Sequence, residues 1–126
     1  MTVPEKMPLH AIQTSQRGID LLAAGDASAA ALAFRDAVAA DPTYIEAHHG
    51  LIRALCDASC FHAAVEAASA LVEITPQDPL AYTSLSIALQ RSGQIPEAES
   101  AAGRARILEW KQQLTEPEAK ENHSLA

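Results

Sequence analysis

The sequence predicts an all-α protein, and two observations support this prediction. Alanine, the residue with the highest intrinsic helix propensity, supplies roughly a fifth of the chain. Apolar residues also recur at helical spacing, as in Ala47, Leu51, Ala54, Leu55 and Ala58. The length of 126 residues suits a single domain whose core needs neither disulfides nor metal. Aromatic residues make up only 4% of the chain, so a core rich in alanine requires helices that approach closely.

The chain contains an internal repeat of 34 residues. When the sequence is shifted by this length, leucine, alanine and turn columns coincide in one register. A repeat of this period indicates stacked helix–turn–helix units, because a single unit cannot bury its apolar face alone. The aligned columns are Leu21, Leu55 and Leu89; Ala30, Ala64 and Ala98; Ala33, Ala67 and Ala101; Gly25, Ser59 and Gly93; and the pairs Asp41-Pro42 and Thr75-Pro76.

Turn residues mark the helix boundaries of the first two units. Gly25 and Asp26 separate the two helices of the first unit. In the second unit, Ser59 interrupts the apolar pattern and is predicted to be the N-cap of the following helix. Thr75 and Pro76 end that helix, since proline lacks an N–H and disfavours helix in the residue before it.

The third unit begins and divides in the same way. Asp78 is predicted to cap its first helix, with Pro79 at the favoured first helical position. Gly93 ends that helix, and Pro96 lies in the first turn of the next. We therefore predict helices near residues 9–24, 27–40, 44–57, 60–74, 79–91 and 95–115.

These units resemble the tetratricopeptide repeat (TPR) family. In that family, position 8 of the unit is small, position 11 is large and apolar, position 20 is alanine and position 32 is proline. The leucine column and the first alanine column occupy positions 11 and 20, and Gly18 occupies position 8. Ile52 departs from the pattern at position 8, and Trp110 departs from it at position 32.

The resemblance implies a right-handed α-solenoid of three stacked repeats with an extended C-terminal helix. The repeats are expected at residues 11–44, 45–78 and 79–112 of a single domain that covers residues 9–115. Residues 1–8 are expected to be disordered, and the polar residues 116–126 are expected to form a frayed tail.

The resemblance also implies a binding groove on the inner surface, lined by the first helix of each repeat. Family members commonly bind extended or helical peptides there. The expected groove combines apolar flanks with a polar middle, which suits an apolar peptide that carries one polar or charged anchor. The candidate groove residues are Ile12, Ser15, Ile19, Glu46, His49, Arg53, Leu80, Thr83, Ile87 and Gln90, and the other inner positions hold Leu22, Ala23, Cys56, Asp57 and Arg91.

Charge narrows the range of partners. The net charge is −7, and the sequence has no run of basic residues. Binding to nucleic acid or to an anionic membrane needs clustered lysine and arginine, so neither is expected.

No signal peptide and no apolar run of membrane-spanning length is visible, which predicts a cytoplasmic protein.

A cluster of histidine and cysteine residues raises a catalytic or metal-binding alternative. His48, His49, Cys56, Cys60 and His62 fall within 15 residues, but no pair has the spacing of a common zinc motif. No residues mark the base, the orienting group and the oxyanion site that a nucleophilic cysteine needs. We therefore predict no catalytic residue, no metal and no cofactor, and treat the two cysteines as small apolar side chains.

The sequence thus predicts a non-catalytic module that binds a peptide or a partner protein. A small chaperone for a secretion substrate is the alternative within this class, because some bacterial secretion chaperones contain three such repeats. A metal-binding or hydrolytic protein that uses the histidine and cysteine cluster is the alternative from a different class.

The predicted last helix carries an apolar stripe on its surface. Ile107, Trp110 and Leu114 are spaced i, i+3 and i+7, so they share one helix face. This face either packs on a second copy, giving a two-fold dimer, or is covered by the chain end folding back. We refer to these three residues as the α6 stripe, where α6 is the sixth predicted helix, near residues 95–115.

Overall fold

The structure is a computed structural model that describes residues 3–115, with side chains described from residue 9 onward. The described chain forms six α-helices and contains no β-strand within that range. The all-α prediction is therefore confirmed, while the predicted tail at 116–126 lies outside the described residues. The helices are α1 (Val3–Ala23), α2 (Ala27–Ala40), α3 (Ile45–Asp57), α4 (Phe61–Ile74), α5 (Pro79–Arg91) and α6 (Ile95–Thr115).

The start of α1 differs from the prediction. The helix begins at Val3, six residues before the predicted start at residue 9. Pro4 lies in the first turn of this helix, where the backbone N–H groups have no intrahelical partner in any case. A proline there costs the helix no hydrogen bond, so it does not delay the helix start.

The turn inside each repeat is formed by one residue with left-handed backbone. Gly25 and Gly93 have φ angles of 87° and 88°, and Ser59, in the same column, has a φ angle of 62°. The prediction that Ser59 caps α4 is therefore wrong, because the N-cap residue is Cys60, which makes no side-chain capping bond. Asp26 does cap its helix, with its side chain accepting a hydrogen bond from the Ala29 N–H at 3.1 Å.

The helices pack as consecutive antiparallel pairs in two layers. The inner layer consists of α1, α3 and α5, which contact one another in that order, and the outer layer consists of α2, α4 and α6. The buried core is made mainly of alanine and leucine, with Phe34, Leu71 and Leu108 as its largest fully buried side chains. None of the described helices combines the length and apolar character needed to cross a bilayer.

The first junction, where repeat 1 meets repeat 2, is packed around one aromatic ring. Phe34 of α2 is only 1% exposed. A Cβ atom added at Gly18 of α1 would lie 2.8 Å from two ring carbons, and one added at Gly50 of α3 would overlap the ring even more closely. The ring therefore occupies space that both inner helices leave open by carrying glycine.

The second junction, where repeat 2 meets repeat 3, has different residues at the same three positions. Ala68 corresponds to Phe34, Ile52 corresponds to Gly18, and Ser84 corresponds to Gly50, each 34 residues further along the chain. Ile52 and Ala68 are both buried in the same apolar core cluster. The departure of Ile52 from the family pattern thus coincides with a small residue on the facing outer helix.

Candidate functional site

The inner layer forms an open cavity of about 910 Å³ centred on α3. Six of the predicted groove residues line it, together with all five of the other inner positions that the resemblance implied. The cavity size falls within the range of pockets that hold peptide side chains or small ligands. The lining residues are Ser15, Ile19, Leu22, Ala23, Phe34, Glu46, His49, Gly50, Ile52, Arg53, Cys56, Asp57, Ser84, Ile87 and Arg91.

Four predicted groove residues do not line this cavity. They are Ile12 on α1 and Leu80, Thr83 and Gln90 on α5. Because α3 lies between α1 and α5, its whole inner face borders the cavity, whereas the flanking helices contribute only the sides that face it. The hydroxyl of Thr83 is also already used, since it donates to the Pro79 carbonyl of its own helix at 3.1 Å.

Four lining residues were missed by sequence reasoning: Phe34, Gly50, Ile52 and Ser84. Phe34 belongs to an outer helix, and its ring reaches the cavity floor because Gly18 and Gly50 leave room for it. An aromatic residue on an outer helix, with glycine at both facing positions, is the sequence signal that could have revealed this floor.

The rim of the cavity carries charges of both signs, and three of these charged side chains already have a partner. Arg53 Nε lies 3.5 Å from Asp57 Oδ2, one helical turn further along α3. The Tyr44 hydroxyl donates to Glu46 Oε1 at 2.7 Å, and this hydrogen bond is the main reason that the pKa of Tyr44 is raised. The rim therefore presents an ordered carboxylate and an ordered guanidinium above an apolar floor.

His49 links two repeats across the cavity. Its Nδ1 atom lies 3.0 Å from the Ser84 hydroxyl oxygen of α5. Its Nε2 atom is buried and has no hydrogen-bond partner among the described residues. Desolvation by burial lowers the pKa of His49, opposed by the charge of Asp78 and assisted by His48, so the ring is neutral at pH 7.

The other histidine and cysteine residues of the predicted cluster have separate environments. His48 donates its Nε2 proton to the Pro42 carbonyl at 2.7 Å, and His62 forms an exposed pair with Glu66 at 3.6 Å. Burial raises the pKa of the Cys56 thiol, which makes it a poor nucleophile, while Cys60 is exposed. Within residues 3–115 no group of three or more histidine, cysteine, aspartate or glutamate side chains has the geometry of a metal site.

The α6 stripe lies outside the cavity, on the solvent side of the outer layer. Trp110 is 59% exposed, Leu114 is 57% exposed and Ile107 is 46% exposed. The opposite face of α6, with Ala98, Ala101, Ala105 and Leu108, is buried against the rest of the molecule. The stripe is therefore a second apolar surface that is separate from the cavity.

The fold is similar to several solved structures. The type III secretion translocator chaperone SycD of Yersinia enterocolitica superposes with a TM-score of 0.72 at 18% identity, covering 91% of this chain and 84% of SycD. The protein MamA superposes with a TM-score of 0.75 at 24% identity, covering 86% of this chain but only 60% of MamA. The second TPR of Spaghetti (RPAP3), bound to an HSP90 peptide, gives a TM-score of 0.73 at 16% identity, covering 83% of this chain and 97% of that domain. These likenesses show a shared fold.

Comparison at the level of sequence places the chain in a family. No curated protein sequence matches it. The family model for the tetratricopeptide repeat, however, matches residues 21–86, which is more than half of the chain. This match covers all three residues of the second junction and, at the first, Phe34 and Gly50 but not Gly18. Together with the 34-residue period and the three stacked helix pairs, it shows that the chain belongs to the tetratricopeptide repeat family.

Proposed function

We propose that the protein is a non-catalytic interaction module that binds a peptide segment of a partner protein in the inner cavity. The observation that carries this proposal is the cavity itself. It combines an apolar floor with a rim of both charge signs, drawn from the inner helices of all three repeats. A single apolar side chain of the partner inserts over Phe34, between Ile19 and Ile87. A neighbouring polar or charged group of the same peptide meets Arg53 or Asp57.

The solved neighbours support a partner of this class. The RPAP3 domain is bound to a peptide, and SycD is a chaperone of a secretion translocator. The cavity chemistry supports binding better than catalysis, because its thiol has a raised pKa and its histidine makes its one hydrogen bond to a serine of a neighbouring repeat.

A chaperone for a secretion substrate is the second candidate. The similarity to SycD supports a chaperone function, because the superposition covers most of both chains. Little of either molecule is left without a counterpart in the other. In that case the cavity holds a segment of the substrate before secretion.

The cytoplasmic location that the sequence predicts stays a prediction.

The test uses peptides selected from a random display library on the purified protein, with affinities then measured by fluorescence anisotropy. Ile87→Asp places a charge on the cavity wall and is expected to weaken binding by about tenfold. Arg53→Ala is expected to weaken binding by about 1 kcal/mol or more if the guanidinium is the polar anchor. Its exposed ion pair contributes little to folding, so the variant reports on binding rather than on stability.

The matched control is Ile95→Asp. Ile95 is 46% exposed and Ile87 is 48% exposed, but Ile95 lies at the start of α6 and does not line the cavity. An acidic residue at a helix N-terminus is also favourable, so the control is expected to fold normally. Unchanged affinity in both Ile87→Asp and Arg53→Ala would place the binding site elsewhere.

A further inference from the structure

The outer face of α6 differs from the outer faces of the two preceding outer helices. At three positions of the repeat, α4 carries Ser69, Glu73 and, just beyond its end, Pro76. The same positions of α6 carry Gly103, Ile107 and Trp110. Ser69, Glu73 and Pro76 include no large aliphatic or aromatic side chain, whereas Ile107 and Trp110 expose two on α6. The fold does not need an apolar side chain there, because repeats 1 and 2 fold without one.

The end of α6 also lacks internal packing. The helix has 21 residues, compared with 14 in both α2 and α4. Leu108 is its last buried residue, and every side chain from Glu109 to Thr115 is exposed. This segment continues a helix that is already formed, but no packing of its own stabilises it. The exposed apolar side chains of this end, Trp110 and Leu114, are therefore expected to pack against a partner surface.

We propose that this partner is a second copy of the chain, which packs its own α6 antiparallel against the first. Gly103, Ile107, Trp110 and Leu114 are spaced by four, three and four residues, which is the spacing of a coiled-coil seam. In an antiparallel two-fold pair, Ile107 of each copy lies opposite Trp110 of the other. In the same register, Gly103 of each copy lies opposite Leu114 of the other.

Gly103 makes this register sterically complementary. A Cβ atom added there would have no neighbour nearer than Arg106 Nη2 at 3.7 Å, so the outer face is open at this position. The glycine leaves a shallow depression, into which the larger Leu114 side chain of the second copy fits. The seam positions of one helix are thus sterically complementary to those of the other, since Gly103 faces Leu114 and Ile107 faces Trp110.

The chain end is a poorer cover for the stripe than a second copy. Residues 116–126 contain Leu125 as their one large apolar side chain, against three in the α6 stripe. A second copy supplies three matching apolar groups, and it does so with the two-fold symmetry common among homo-oligomers.

The basic residues near the seam predict how dimerisation depends on salt concentration. Arg106 and Lys111 are basic and adjoin stripe residues in the sequence of α6, whereas the Arg104 guanidinium lies over the Tyr82 ring of α5 at 5.9 Å. Pairing two copies brings Arg106 and Lys111 of each copy towards those of the other, and salt screens the repulsion between them. Dimerisation is therefore expected to strengthen as salt rises, unlike pairing with an acidic partner, which would weaken.

The test is sedimentation velocity of the full chain from about 1 µM to about 1 mM, a range that covers weak dimers. The fluorescence of Trp110, the only tryptophan in the chain, is followed in parallel. The mass is expected to rise towards that of a dimer, with a blue shift of Trp110 emission over the same concentrations. Raising NaCl from about 0.05 M to about 0.5 M should move both changes to lower protein concentration.

Two variants separate the stripe from other exposed apolar residues. Ile107→Asp is expected to weaken dimerisation by about tenfold or more. Ile95→Asp lies on the same helix, alters the same residue type with the same 46% exposure, and should dimerise like the wild type. Far-ultraviolet circular dichroism checks that both variants remain helical.

Three outcomes would overturn the proposal. One is a monomer at all concentrations and salt levels. Another is a constant monomer mass with Trp110 emission already blue-shifted at the lowest concentration, which would assign the cover to the chain end. The third is a dimer that Ile107→Asp leaves intact. Because α6 lies outside the cavity, each outcome is independent of whether the cavity binds a peptide.

Discussion

The two repeat junctions occupy equivalent places in the fold and fill them with opposite choices of side chain. At the first junction, a large ring from the outer layer, Phe34, meets glycine at positions 18 and 50 of the inner layer. At the second, the outer layer contributes Ala68, and the inner helices carry the larger Ile52 and the polar Ser84. Helix packing depends on the total volume at a junction, so volume lost by one layer is recovered by the other.

This exchange also divides the cavity into two halves of different chemistry. At the first junction the Phe34 ring borders the cavity but is only 1% exposed, because Gly18 and Gly50 pack directly against it. The second junction places the hydrogen bond between His49 and Ser84 across the inner layer. At the first junction the residue equivalent to Ser84 is Gly50, which has no hydroxyl, so this link is possible only between repeats 2 and 3.

The largest expected effect comes from removing the ring at the first junction. Phe34→Ala leaves a cavity that two glycines cannot fill, and should lower the free energy of unfolding by about 3–5 kcal/mol. Urea denaturation followed by circular dichroism measures this loss. Phe61→Ala is the matched control: Phe61 is only half-buried, so its loss should be clearly smaller.

Converting the first junction into a copy of the second sharpens the same test. The triple variant Phe34→Ala, Gly18→Ile and Gly50→Ser keeps the volume roughly constant and should lie within about 1.5 kcal/mol of the wild type. If the triple variant is no more stable than Phe34→Ala alone, the two junctions are not interchangeable and the volume argument is wrong.

A smaller effect is expected from crowding the ring. Gly50→Ala places a methyl group inside the space of the Phe34 ring and should destabilise the protein by about 1–3 kcal/mol. Gly103→Ala, in another helix but with open space at its Cβ, should instead stabilise it by about 0.5–1 kcal/mol through helix propensity. Thermal melts of the two variants should therefore shift in opposite directions, and a shift of the same sign would contradict the packing described at Gly50.

The smallest effect concerns pH at the second junction. Burial lowers the pKa of His49 in the folded state, so the unfolded chain binds its proton more readily. Stability is therefore unaffected above the unfolded pKa of about 6.5, and it falls as the pH drops from there towards the lower folded value. His49→Gln should flatten the dependence of the unfolding free energy between about pH 7.5 and about pH 5.5. A dependence that is unchanged in His49→Gln would argue against burial at His49 as its cause.

Local and periodic features of this protein were determined by the sequence alone. The 34-residue period, the turn residues and the alanine columns predicted six helices, and from α2 onward the observed boundaries agree to within one residue. The reason is that helix caps, proline and helical periodicity act over a few residues and leave a direct trace in the chain. The resemblance to the tetratricopeptide repeat family implied an inner face, and six of the ten groove candidates that it implied line the cavity.

Features that depend on residues far apart in the chain were decided only by the tertiary structure. The ring of Phe34 becomes a cavity floor only because residues 16 positions away on either side, Gly18 and Gly50, both lack a side chain. The pKa of His49 is lowered only because the fold buries its ring, beside Ser84, which lies 35 residues further along. Leu80 and Gln90 fit the inner pattern by position but fall outside the cavity, because α5 borders it along one side only. Packing volume and desolvation arise from neighbours that the fold assembles, so they leave no pattern that a single repeat can reveal.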